Sequence, residues 1–225
     1  MSCSMKSKSQ LVASLLVILI IGSLTVLAYT TGTAAAGDAL KLGMKSTVGV
    51  MATQIQPSEL AGLKPGDENS ARYLAVAHKL QNMRSMNDHI LNAYILNVGP
   101  DGKATFLVDD LYPDDPQGSA KIGEVSTAPD TMDILAALSG PTTSAKPYTT
   151  KYGSFMTAYA PIDDAGSDSS GNTYAILAID IPAQDYDAYT SRGNFIILTG
   201  LVSMILAVGA IFWFGRSRRD DETSA

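Results

Sequence analysis

Asn92-Ala93-Tyr94-Ile95-Leu96-Asn97-Val98, then Gly99-Pro100-Asp101-Gly102, then Lys103-Ala104-Thr105-Phe106-Leu107-Val108-Asp109-Asp110 is the stretch on which the fold turns. Two runs rich in aliphatic and aromatic residues flank four turn-forming residues, which predicts a β-hairpin. Upstream, Asp67-Glu68-Asn69-Ser70 suits a helix start, and Tyr73, Val76/Ala77, Leu80 and Met83/Arg84 form the stripe of the helix that follows. Further upstream Leu40, Met44, Val48, Met51 and Ile55 recur in steps of three and four, a second helical stripe that stops before Pro57.

Downstream of the hairpin, 109–130 is a long polar connection rich in Asp, Pro and Gly. A short helix is expected at Thr131–Leu138, capped by Asp130 and closed by Gly140-Pro141. Strands are expected at Thr142–Thr149, Gly153–Ile162 and Thr173–Asp180, with a polar hairpin loop at Asp163–Asn172 between the last two. The last strand carries apolar residues on both faces, as a central strand does. A short helix at Pro182–Arg192 follows it. The expected fold is α+β: a PAS-like antiparallel sheet of about five strands with a long N-terminal helix.

Two apolar segments enclose this domain. Leu11–Tyr29 holds 19 residues without a charge and Phe195–Phe214 holds 20. As helices they reach roughly 28 and 30 Å, the thickness of a bilayer core. Lys6 and Lys8 precede the first, and Arg216, Arg218 and Arg219 follow the second. Basic residues favour the cytoplasmic side, so both termini are expected inside and the domain outside. The expected division is a cytoplasmic head at 1–10, a span at 11–30, an extracytoplasmic domain at 31–193, a span at 194–214 and a cytoplasmic tail at 215–225. A cleaved signal peptide ending near Ala34-Ala35-Ala36 is the alternative for the first segment.

Charge and residue usage narrow the chemistry. Residues 31–193 carry 11 Lys and Arg against 19 Asp and Glu, an acidic balance unsuited to nucleic acid. Cys3 is the only cysteine, which leaves the outer domain without disulfides or thiolate metal ligands. Asp109, Asp110, Asp114 and Asp115 are dense in oxygen but lack the spacing of a calcium loop. His78 and His89 are 11 apart and lack a partner at metal-ligand spacing. No nucleophile elbow, phosphate loop or zinc-protease motif occurs, so neither an enzyme nor a cofactor is expected.

Four short motifs in order resemble the extracytoplasmic Cache domains, PAS-like sensors of histidine kinases and chemoreceptors. The hairpin 92–110 is the first, and Lys121-Ile122-Gly123-Glu124 is similar to the family's K-x-G-E element. Lys146-Pro147-Tyr148-Thr149-Thr150-Lys151-Tyr152-Gly153 and the strand to Pro161-Ile162 resemble its paired strands, with Tyr152 where Trp is usual. Thr173–Ile181, ending Ala178-Ile179-Asp180-Ile181, resembles its last strand, with alanines replacing two glycines. The resemblance covers about 70–189 and implies a small-ligand pocket between the sheet and the 109–130 connection.

That resemblance implies candidate ligand-binding residues Tyr94, Asp109, Asp110, Tyr148, Lys151, Tyr159 and Asp180. Asp180 would accept from a ligand ammonium, Lys151 would meet a carboxylate, and the tyrosines would supply an apolar wall with a polar tip. Core packing of the tyrosines and turn or strand-end bonding of the aspartates remain open beside these roles. The expected ligand is a small polar molecule, an amino acid or amine. Receptors of this kind continue into output modules after the second span. Here only eleven residues follow Phe214, so the expected output runs through a homodimer or a separate signalling protein. A structural or assembly protein of the envelope, with the same fold and no ligand, is the alternative.

Overall fold

The computed structural model describes residues 2–129, 131–163, 173–191 and 193–223. Asp38–Ala188 form one compact unit, and Met1–Gly37 with Tyr189–Ala225 form another.

The elements are helices α1 (Ser2–Ala52), α2 (Pro57–Leu60) and α3 (Ala71–Arg84), strands β1 (Asn92–Val98) and β2 (Ala104–Asp109), helix α4 (Thr131–Ala136), strands β3 (Thr142–Thr143), β4 (Tyr148–Thr150), β5 (Gly153–Asp163) and β6 (Thr173–Pro182), and helices α5 (Ala183–Ser191) and α6 (Asn194–Thr223). A 3-10 turn at Ala137–Ser139 continues α4. All strand pairings are antiparallel, in the order β2-β1-β6-β5-β3, with β4 also on β5. The expected α+β sheet of five positions is present, and β6 is central.

One expected strand is two. Thr142–Thr143 pair with Tyr159 and Ala158, whereas Tyr148–Thr150 pair with Phe155, Ser154 and Gly153. Ser144 keeps one backbone bond to β5, its N–H to Thr157 O at 2.8 Å, and 145–147 leave the ladder, where Pro147 has no N–H to give it. The Asp130 cap and the loop between β5 and β6, with Asp164 and Asp168, lie outside the described residues.

Strand alternation divides the core of the larger unit. Ala93 and Ile95 of β1, Met156, Ala158, Ala160 and Ile162 of β5, and Ala175, Leu177, Ile179 and Ile181 of β6 share a buried cluster with α1, α2 and α3. Tyr94, Leu96, Tyr159, Ile176 and Ala178 belong to a second cluster with Phe106, Ala120, Ile134 and Ala137. The sheet therefore has a helix face and a loop face, both buried.

Helix α3 carries the start signal seen in its sequence: the Ser70 side chain accepts from the Tyr73 amide at 3.2 Å. Tyr73, Val76, Ala77 and Leu80 are its buried positions. Ser70→Ala should cost about 1 kcal/mol through loss of this cap, read as a small drop in midpoint in denaturant unfolding. Pro57 opens α2 at its first position, where a missing N–H is harmless.

The stripe on α1 has a definite destination. Met44, Val48, Met51 and Ile55 are buried in the cluster of the helix face, and Leu40 packs against it.

In the other unit, α1 and α6 each contain a segment long and apolar enough to cross a membrane. They approach closely at glycines: a Cβ on Gly200 would stand 2.2 Å from Thr25 Oγ1, and one on Gly193 would stand 2.6 Å from Thr33 Cγ2.

Candidate ligand cavity

A cavity of about 500 Å³ opens on the loop face of the sheet. Tyr94, Phe106, Tyr148, Tyr152 and Phe155 bring five aromatic rings to its wall, and Asp109, Asp115 and Asp180 bring carboxyl groups. Arg84 and Lys151 are its bases, and Ser126-Thr127-Ala128 of the long connection close one side. Five of the seven residues singled out in the sequence, Tyr94, Asp109, Tyr148, Lys151 and Asp180, are on this wall. Asp110 and Tyr159 are among the fully buried residues and are not part of it.

Asp180 anchors a chain of hydroxyls. Asn92, Asp180 and Thr157 are level across β1, β6 and β5, as Tyr94, Ala178 and Tyr159 are. Thr157 Oγ1 donates to Asp180 Oδ1 at 2.7 Å, and Tyr94 OH donates to the same oxygen at 3.3 Å. Tyr148 OH lies 2.7 Å from Thr157 Oγ1 and 3.1 Å from Tyr159 OH. Each hydroxyl has one proton, so with Thr157 donating to Asp180, Tyr148 donates to Thr157 and Tyr159 to Tyr148. Tyr159 thus orients Tyr148 from behind. Asn92 Nδ2 donates to Asp180 Oδ2 at 3.4 Å.

Asp109 and Asp110 diverge. On β1, Ile95 is paired with Val108 but Leu96 with Phe106, so Leu107 is a bulge residue. The bulge shifts the alternation: Phe106 and Asp109 face the loop side, while Val108 joins the helix-face cluster. Asp109 Oδ1 accepts from Leu111 N at 3.0 Å and Oδ2 from Ala120 N at 2.7 Å, which ties both ends of the 111–120 turn to the strand. Burial raises the Asp109 carboxyl above its ordinary range despite these bonds. Asp110 goes to α3 instead. It accepts from Arg84 Nε and, through Oδ1, from Ala93 N at 3.2 Å. Burial pushes its carboxyl up to about 6, against the pull of the Ala93 amide and Arg84.

Lys151 and Tyr152 form the two-residue tip between β4 and β5, since Thr150 pairs with Gly153. Gly153 has φ 138°, and a Cβ there would stand 2.6 Å from Phe155 Cζ, so the tip needs glycine for both reasons. Phe106 packs on Tyr94 with centroids 5.2 Å apart and meets Tyr152 edge-on at 6.1 Å.

Glu124 is the residue whose part could not be read from the sequence, although it stands in a motif quoted there. Its backbone runs along the outer edge of β2: Phe106 N donates to Glu124 O at 2.8 Å, and Gly123 N to Phe106 O at 2.8 Å. Its Oε1 accepts from Lys151 Nζ at 2.8 Å and from Tyr152 OH. Burial works against this carboxylate, but the bonds from Lys151, Tyr152 and the Lys121 amide hold it below its ordinary range. The Glu124 bond in turn raises the Lys151 ammonium above its own. No single spacing could announce a contact between two loops 27 residues apart.

No family model matches the sequence, and no curated protein matches it. Among solved structures, the sensory domain of the Campylobacter jejuni chemoreceptor Tlp3 with isoleucine bound is similar at a TM-score of 0.43 and 16% identity, over 76% of this chain and 65% of that one. The ligand-binding domain of the same chemoreceptor in complex with L-norvaline gives 0.40 and 15%, over 75% and 63%. The chain thus spans less than two thirds of the length of these structures.

Proposed function

We propose that this chain is an extracytoplasmic sensor module, held in a membrane by its two apolar helices, that binds a small molecule bearing an amine. The cavity on the loop face carries this reading. It is the size of a small-molecule site, with five aromatic rings and a few convergent polar groups. Asp180 offers an acceptor to an ammonium, and the aromatic rings offer the faces that cations favour. Tyr94, Tyr148 and Asp180 are the residues assigned to ligand contact, and Lys151 to the wall beside them. Asp109 is assigned to shaping the wall, Asp110 to bracing it through Arg84, and Tyr159 to orienting Tyr148. A ligand that closes the connection onto the sheet alters signalling only through its different affinity for the open and closed states, with the output passed to a partner protein.

Thermal unfolding of the full chain in mild detergent, screened against small amines and amino acids, tests this. A binder at 100 times its Kd should stabilise by about 2.7 kcal/mol, a readily measured rise in melting temperature. A flat response across the whole set would favour a structural envelope protein over a sensor. Orientation has its own test. In a Cys3→Ser background, an impermeant thiol reagent applied to intact cells should label Lys103→Cys, at the exposed hairpin tip, and spare Ser217→Cys. The opposite pattern would invert the topology.

A further inference from the structure

We infer that Glu124 sets the ligand class of this cavity by engaging, with its own carboxylate, the donors that a ligand carboxylate would need, so that amines without a carboxylate bind and zwitterionic amino acids are held off. This rests on the cavity being the binding site proposed above.

Both bases on the wall already hold an acid of the chain. Arg84 Nε is bonded to the fully buried Asp110, and Lys151 Nζ is bonded to Glu124 Oε1 at 2.8 Å. The Tyr152 hydroxyl, the other donor at the β4–β5 tip, is directed to the same Glu124 oxygen. A ligand carboxylate arriving at Lys151 and Tyr152 therefore meets two donors already bonded to Glu124, which is not itself a wall residue.

Glu124 is not a loosely held surface side chain. Its own carbonyl and the amide of Gly123 are bonded to Phe106 of β2, so the backbone delivers the carboxylate to a fixed point. Displacing it would strip Lys151 and Tyr152 of their acceptor and bring a second negative charge beside the first. An amine without a carboxylate makes no such demand. It needs the Asp180 side of the cavity and the aromatic walls, and the wall carries three carboxyl-bearing residues. In the bridge itself, Lys151 also lies over the Tyr152 ring, 4.7 Å from its centroid, which keeps the tip in one arrangement.

Calorimetric titration of the full chain in detergent tests this with matched pairs that differ only by the carboxylate: 3-methylbutylamine against leucine, and 2-phenylethylamine against phenylalanine. In the wild type the better amine should bind at least tenfold more tightly than its amino acid. Glu124→Gln keeps the size of the side chain and removes its charge, and it should narrow that ratio at least tenfold by strengthening the amino acid. Adding Lys151→Met to Glu124→Gln should abolish the gain, because the released ammonium is what takes the ligand carboxylate. If the wild type binds the amino acid as tightly as its amine, or if Glu124→Gln leaves the ratio unchanged, the role of Glu124 is overturned while the cavity remains a binding site. If no member of either pair binds wild type or variant, the binding function falls together with it.

Discussion

Asp180→Asn is expected to weaken binding of an amine ligand at least 30-fold. The substitution keeps an oxygen that can accept from Thr157 and Tyr94, which now bond Oδ1, and its amide nitrogen takes the place of Oδ2, where a flipped Asn92 amide can accept from it. It removes the charge that would face an ammonium. Losing one member of a desolvated, hydrogen-bonded charge pair costs about 2–5 kcal/mol, roughly 30-fold to several thousand-fold in affinity. The fold should survive, because the hydroxyl chain through Thr157, Tyr148 and Tyr159 keeps its acceptor. Circular dichroism establishes that survival, and calorimetry reads the affinity. Unchanged affinity in a folded variant would take Asp180 out of the site and with it the preference for an amine.

Arg84→Met is expected to destabilise the fold by about 3–5 kcal/mol at pH 7.5 and by much less at pH 5. Asp110 is fully buried, and Arg84 Nε is its cationic partner in an ion pair that ties β2 to the end of α3. Removing that partner leaves an uncompensated charge in the interior. The pH dependence follows from the direction of the Asp110 shift. Its carboxyl stands at about 6 in the folded chain against 3.8 as a free side chain. The folded state thus holds this proton more tightly than the unfolded one, and this group's contribution to stability falls as pH rises from about 4 to 6. The difference corresponds to about 3 kcal/mol already borne by the wild type above pH 6. Without Arg84 the carboxyl moves higher, so the penalty extends to higher pH and is relieved by protonation. Thermal unfolding at both pH values reads the effect, and Asp110→Asn in the Arg84→Met background should recover most of it. A pH-independent loss would mean that Arg84 supports the fold by its aliphatic stem alone.

The pattern of elements was legible wherever a local signal matched its tertiary use. Ser70 before the Tyr73–Leu80 stripe marks a helix start because a capping hydroxyl and a buried face are both short-range features. The apolar run of β6 placed it at the centre of the sheet because only a strand covered on both faces is apolar on both. The split of β3 from β4 escaped, although Pro147 announced it, because Thr142–Thr149 is rich enough in threonine to pass as one strand.

Residue types and their spacing were sufficient for the hairpin, the two helical stripes, the two long apolar segments and a polar connection over the sheet. These depend on hydrophobic periodicity and turn chemistry, which act over a few residues. The faces to which Asp109 and Asp110 point, and the partner of Lys151, came from the folded chain. An alternating strand would put Phe106, Val108 and Asp110 on one side, but the bulge at Leu107 turns Val108 and Asp110 toward the helices and Asp109 toward the cavity. A bulge is set by how two strands pair, and the meeting of Lys151 with Glu124 by how two loops approach across a sheet. Both are relations between distant parts of the chain, and the free energy that selects them comes from packing and burial that exist only once those parts are together.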